Sequence, residues 1–109
     1  MEEKIKTYTS DIEKYTDKVN KKLVEALAKR LSSVMGKADA RLVSCGDPKE
    51  LERVRRNFVK AKLDFHDIEK SRKAMNTICE KMKKARQKNR VTFYYLLAVE
   101  LKKAKAYLD

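Results

Sequence analysis

Val91-Thr92-Phe93-Tyr94-Tyr95-Leu96-Leu97-Ala98-Val99-Glu100-Leu101 is the stretch that most restricts what this chain can fold into. Wound at 3.6 residues per turn, it points apolar side chains in nearly every direction, and only Thr92 and Glu100 leave a polar strip. A helix of this kind is buried on most sides, so other helices must pack around it. Its longest apolar run, Phe93 to Val99, is far short of the roughly 20 residues a membrane span needs, and a soluble core helix with no membrane span is expected.

The β-branched and aromatic start of this stretch also suits a strand. A strand needs a partner, however, and the only other candidate, around Leu42 and Val43, is too short to pair with it. The helix is therefore expected to begin near Arg90 under an Asn89 cap. Lys102 to Tyr107 are strong helix formers and should carry it to the C-terminus, about 18 residues and roughly 27 Å in all.

With two glycines and one proline in 109 residues, there is little chemistry for tight hairpins or a Gly-rich phosphate loop. The expectation is all-α: one compact domain over residues 1–109, of about five helices around the buried C-terminal one. Ile5, Tyr8, Ile12, Tyr15 and Val19 share one stripe of a first helix. Ser10 and Glu13 match a capping box, which offers residue 10 as an alternative start for that helix, with residues 1–9 then only loosely attached. Asn20 caps a second helix with Leu23, Val24, Leu27, Leu31, Val34 and Met35 on its apolar face and Gly36 just past its end. Residues 36–47 form the principal loop, pinned by Leu42 and Val43. Asp47-Pro48-Lys49-Glu50 reads as cap, first-turn proline and N3 carboxylate of a third helix that runs to about Leu63 and buries Leu51, Val54, Phe58 and Ala61. After a link at residues 64–67, Ile68, Met75, Ile78, Cys79, Met82 and Ala85 supply the apolar side of a fourth.

The compositional oddity is charge. Twenty-eight Lys and Arg against sixteen Asp and Glu make the chain +12, which attracts polyanions such as nucleic acid or anionic lipid. Residues 81–109 alone hold nine basic residues and two acids, a net +7. Lys49, Arg53, Arg56 and Lys60 recur at spacings of four, three and four, forming a cationic ridge opposite the apolar stripe of the third helix. From Lys81 to Arg90 six basic residues occur without an acid. The candidate polyanion-binding residues are thus Lys49, Arg53, Arg56, Lys60, Lys81, Lys84, Arg86, Lys88 and Arg90. The plainer alternative is a solvated helix face.

Chemistry-bearing motifs are few. Asp39 and Glu50 fall at the first and twelfth places of a calcium loop, but Arg41, Val43 and Ser44 occupy places that need oxygens and a glycine, so no calcium site is expected. Cys45 and Cys79 stand 34 residues apart without a C-x-x-C spacing, and His66 is the only histidine, so a zinc site lacks ligands. The start Met1-Glu2-Glu3-Lys4 has no secretion-signal pattern. A cytoplasmic location with both cysteines reduced is the resulting expectation.

Three blocks resemble a family of small bacterial proteins catalogued as domain of unknown function 2853. They are Asp39-Ala40-Arg41-Leu42-Val43, then Asp47 with Glu50-Leu51-Glu52-Arg53-Val54-Arg55-Arg56-Asn57-Phe58, and Asn89-Arg90-Val91-Thr92-Phe93-Tyr94-Tyr95-Leu96-Leu97-Ala98. The resemblance covers residues 11 to about 100. It implies a compact helical domain laid out like paired helix-loop-helix folds without calcium ligands, and implies no activity. The chain departs from the family pattern at Asp64, where the pattern has glycine, and in its high positive charge.

One histidine and no nucleophile paired with a base exclude the common hydrolytic constellations, so a non-enzyme without cofactor is expected. What remains is a protein-interaction or structural module, with a protein partner or a homodimer formed through an apolar face that the short first helix leaves uncovered. The alternative is non-specific nucleic-acid or polyanion binding through the basic face, with no helix-turn-helix, finger or RNP signature to make it specific.

Overall fold

Asn89 starts the central helix. Its side-chain oxygen accepts from the backbone N–H groups of Val91 at 2.9 Å and Thr92 at 3.4 Å, satisfying donors that a first turn leaves unpaired. In the computed structural model, which describes residues 2–37 and 40–108, this helix is α6, Arg90–Glu100. Every residue from Val91 to Ala98 is buried, and Phe93, Leu97 and Ala98 are completely enclosed. Each large side chain so enclosed contributes about 1.5 to 3 kcal/mol relative to exposure. Thr92 is enclosed too, and its hydroxyl donates to Asp11 Oδ2 at 2.6 Å, so this end of the polar strip is used inside while Glu100 at the other end is exposed.

Around it pack α1 (Glu2–Ile12), α2 (Lys21–Arg30), α5 (Ile68–Lys81) and α7 (Ala104–Leu108), while the single turn α3 (Ser32–Met35) rests on α2 and α4 (Pro48–Val54) leads into the segment that follows it. The protein is all-α; among the described residues the only β pairing is an isolated bridge between Leu42 and Asn89. Local capping signals are realised. Asn20 accepts from Leu23 N–H at 3.2 Å and Asp47 from Lys49 N–H at 3.0 Å, with Pro48 in the first turn. The Tyr95 hydroxyl accepts from Asn20 N–H at 2.8 Å, which ties the start of α2 to the central helix.

Several expectations are corrected. The first helix begins at Glu2 and ends at Ile12, so Ser10 lies within it and the capping box does not form; Tyr15 and Val19 follow the helix and pack half-buried on the core. The long second helix breaks at Leu31 into α2 and α3. The third helix leaves α geometry at Arg55–Lys60, a π-helical segment in which Ala61 N–H donates to Arg56 C=O, five residues back, at 3.2 Å. The wider turn moves the apolar stripe: Val54, Phe58, Val59 and Leu63 are buried, whereas Ala61 is exposed. Asp64 closes this segment at φ 53°, a left-handed conformation that aspartate tolerates better than most residues. Ile68 is exposed rather than core.

The C-terminal helix is not continuous. Lys102 takes φ 58° and its N–H donates to Val99 C=O at 3.0 Å, while Lys103 N–H donates to Ala98 C=O at 2.9 Å. This is the paired closure that ends helices, with lysine where glycine is usual. Local propensity favoured continuation; packing outweighs it. The bend returns Tyr107 to Phe58, ring centroids 6.0 Å apart, and beneath the Arg30 guanidinium.

Cys45 and Cys79 are joined in a disulfide, with Cα atoms 5.9 Å apart and S–S 2.12 Å. The expectation of two reduced thiols is therefore overturned. The loop at Cys45 lies against the end of α5, a proximity that spacing in sequence does not encode. No helix among the described residues is long and apolar enough to cross a membrane.

Candidate functional site

The ridge residues Lys49, Arg53, Arg56 and Lys60 are all exposed on α4 and the π-helical segment. Their charges are not equally available. Arg53 donates through Nε and Nη2 to Glu50 Oε2 at 3.3 and 3.1 Å. Arg56 approaches Glu52 at 3.8 Å, but Glu52 also holds Arg55 and stands 3.7 Å from Arg72 of α5. The hydrogen bond from Arg55 chiefly keeps the Glu52 carboxyl below the ordinary range. Acids one turn away thus reach the ridge, although none lies on its own line.

Arg90 has a different place. Its side chain is 11% exposed. It donates to the Ala40 and Leu42 carbonyls, to Tyr94 Oη at 3.0 Å, and to Glu50 Oε1. Burial raises the Tyr94 phenol above its usual value, with the adjacent guanidinium opposing. For Arg90 burial alone would act downward, but Tyr94 and Glu50 outweigh it and hold the group charged. A cleft of about 440 Å³ opens over this cluster, lined by Ser44, Glu50, Arg53, Asn57, Arg90 and Tyr94. The three sequence blocks converge here, one supplying carbonyls, one Glu50, and one Arg90. The charges cancel internally, so the cluster clasps the fold and offers little net attraction to an anion. Sequence spacing gave no warning that Glu50, an N3 carboxylate by pattern, is consumed by Arg90; Asp39, its partner in the calcium comparison, lies outside the described residues.

Lys81, Lys84, Arg86 and Lys88 lie together on the end of α5 and the loop that follows it. Lys81, Lys84 and Arg86 are exposed, and Met82 beneath them is 1% exposed. Lys83 pairs with Glu80 at 2.8 Å, which raises the ammonium above its ordinary value. Lys88 Nζ donates to Ala85 C=O at 3.1 Å, half-buried. Both ends of the loop attach to the same segment. Val43 N–H donates to Lys88 C=O and Arg90 N–H to Arg41 C=O, each at 2.8 Å, while Cys79 is bonded to Cys45. The single histidine is elsewhere: His66 is exposed on the link before α5, its Nε2 2.5 Å from Asp64.

Two comparisons accompany this geometry. Residues 7–105 match the family described as "Protein of unknown function (DUF2853)". No curated protein matches the chain.

Proposed function

Since the chain belongs to that family of unknown function, we propose from its own surface that it is a non-enzymatic interaction module that binds the phosphate backbone of nucleic acid through exposed cations. The observation that carries this reading is the patch of Lys81, Lys84 and Arg86, whose neighbourhood in sequence holds a single acid, Glu80, itself engaged by Lys83. Lys49, Arg56 and Lys60 add a second exposed cationic stripe. A formal charge of +12 supplies the long-range attraction. An apolar protein interface has less support: the exposed large hydrophobics among the described residues are Ile68, Val99 and Leu108, short of the contiguous patch such interfaces use. The cytoplasm, where nucleic acid is abundant, is the compartment this reading assigns.

Anisotropy of labelled single-stranded and duplex DNA tests it. Micromolar affinity without sequence preference is expected, and about four neutralised phosphates give a slope of log affinity on log salt near −3 to −4. Lys81→Gln with Lys84→Gln and Arg86→Gln should flatten that slope while leaving the fold intact, because exposed charges contribute little to stability. Arg53 is left unaltered, as its guanidinium holds Glu50. No binding below about 100 μM at about 50 mM salt would overturn the reading.

A further inference from the structure

The loop that carries the cationic patch is closed at both ends on one short segment. Its first end leaves the last turn of α5, where Cys79 is bonded to Cys45. Its second end is the bridge between Asn89 and Leu42, with the flanking hydrogen bonds of Lys88 and Arg90 at 2.8 Å. Residues 42–45 therefore form the base of a ring whose other side is residues 79–89. Within that side, Ala85 N–H donates to Met82 C=O at 2.9 Å and the enclosed Met82 side chain anchors the middle. The hydrogen-bonded end belongs to the start of α6 and is held by the core. The other end is the last turn of α5, seated on the core by the enclosed Ile78 and Met82, and the disulfide adds its covalent tie to residues 42–45.

We infer that this ring is the phosphate-binding surface, that the oxidised protein is its binding form, and that reduction of Cys45–Cys79 weakens binding; the inference rests on the nucleic-acid reading above. Lys81, Lys84 and Arg86 project from the tethered stretch, so fixing its base holds the backbone that sets the spacing of three cationic side chains before a phosphate arrives. Ordering that has already been completed is not charged against association, and its loss reduces affinity without removing a single positive charge. In a reducing compartment a persistent disulfide is uncommon, and those that occur are mostly transient, catalytic or redox-sensing. Both cysteines are half-buried rather than sealed in the core. The exchange balances with a dithiol reductant. One of its thiolates attacks a sulfur of the pair, the second resolves the mixed disulfide, and two electrons and two protons leave Cys45 and Cys79 as thiols and the reductant as a cyclic disulfide.

The test uses the full chain and a labelled single-stranded oligonucleotide, with anisotropy read for the oxidised protein, the protein reduced by excess dithiothreitol, and Cys45→Ser with Cys79→Ser. Circular dichroism at the titration temperature reports whether each form is folded. Reduced protein and double variant should bind about three- to tenfold more weakly than the oxidised protein, with nearly the same salt slope, because the number of phosphate contacts is kept. Folded reduced protein that binds as tightly as oxidised protein overturns the inference and leaves the nucleic-acid reading standing. Absence of binding by the oxidised protein overturns that reading, and the inference with it. A third arm is read on oxidised protein alone and so does not depend on how the reduced forms fold: Lys81→Gln with Lys84→Gln and Arg86→Gln should bind weakly. Unchanged binding by this oxidised variant would remove the ring as the surface.

Discussion

Arg90 and Glu50, forty residues apart in sequence, form an ion pair with side chains only 11% and 12% exposed. The guanidinium also reaches the carbonyls of Ala40 and Leu42, so one side chain joins the principal loop, α4 and the central helix. Removing one partner of a buried pair leaves the other charge uncompensated. Arg90→Ala should therefore cost about 3 to 5 kcal/mol. Arg53→Ala, on a side chain 63% exposed, should cost under about 1 kcal/mol. Urea denaturation of the two variants checks the contrast, and equal costs would show that the clasp is unimportant to stability.

Phe58 stacks on Tyr94 with centroids 4.1 Å apart and planes 17° from parallel, and meets Tyr107 edge-on. It thereby connects the π-helical segment, the central helix and the returned C-terminal turn. Phe58→Ala should destabilise the protein by about 3 to 5 kcal/mol, a large part of the margin of a domain this size. An unchanged denaturation midpoint would contradict that assignment.

The disulfide reverses what spacing suggested for the thiols. It closes a loop with a sequence separation of 34, and chain entropy assigns such a closure about 3 to 4 kcal/mol. Reductant should lower the thermal midpoint by several degrees or more. A midpoint indifferent to reductant would mean that the reduced chain recovers the difference through native-state relaxation.

Burial raises the phenols of Tyr8, Tyr94 and Tyr107 above their usual value, against partial opposition from Arg41, Arg90 and Arg30. The unfolded chain then releases these protons at lower pH than the folded one. Their contribution to stability is complete below about pH 10 and is lost as pH rises through the folded values. Lysine deprotonation in the same range relaxes the net positive charge and acts in the other direction. The diagnostic is therefore a difference: stability of Tyr94→Phe should decline less between about pH 9 and pH 11 than that of the unmutated protein. Parallel declines in guanidinium titrations would remove Tyr94 as a contributor.

The all-α class, the enclosed central helix and the caps at Asn20, Asp47 and Asn89 were legible from the order of residues alone. Those outcomes rest on interactions within a few residues, or on an apolar surface so nearly continuous that any packing must cover it. Other features arise only when distant segments dock. Cys45 meets Cys79, and Glu50 meets Arg90, only after separate helices dock. The turn at Lys102 and the π-helical segment at Arg55–Lys60 override local helix propensity, since returning Tyr107 to Phe58 and burying Val59 involve distant partners. Likewise Arg86 and Arg90 are the same residue within one basic run, yet Arg90 becomes an internal clasp and Arg86 a surface charge. The difference is the position of each relative to a core that exists only once the chain has folded.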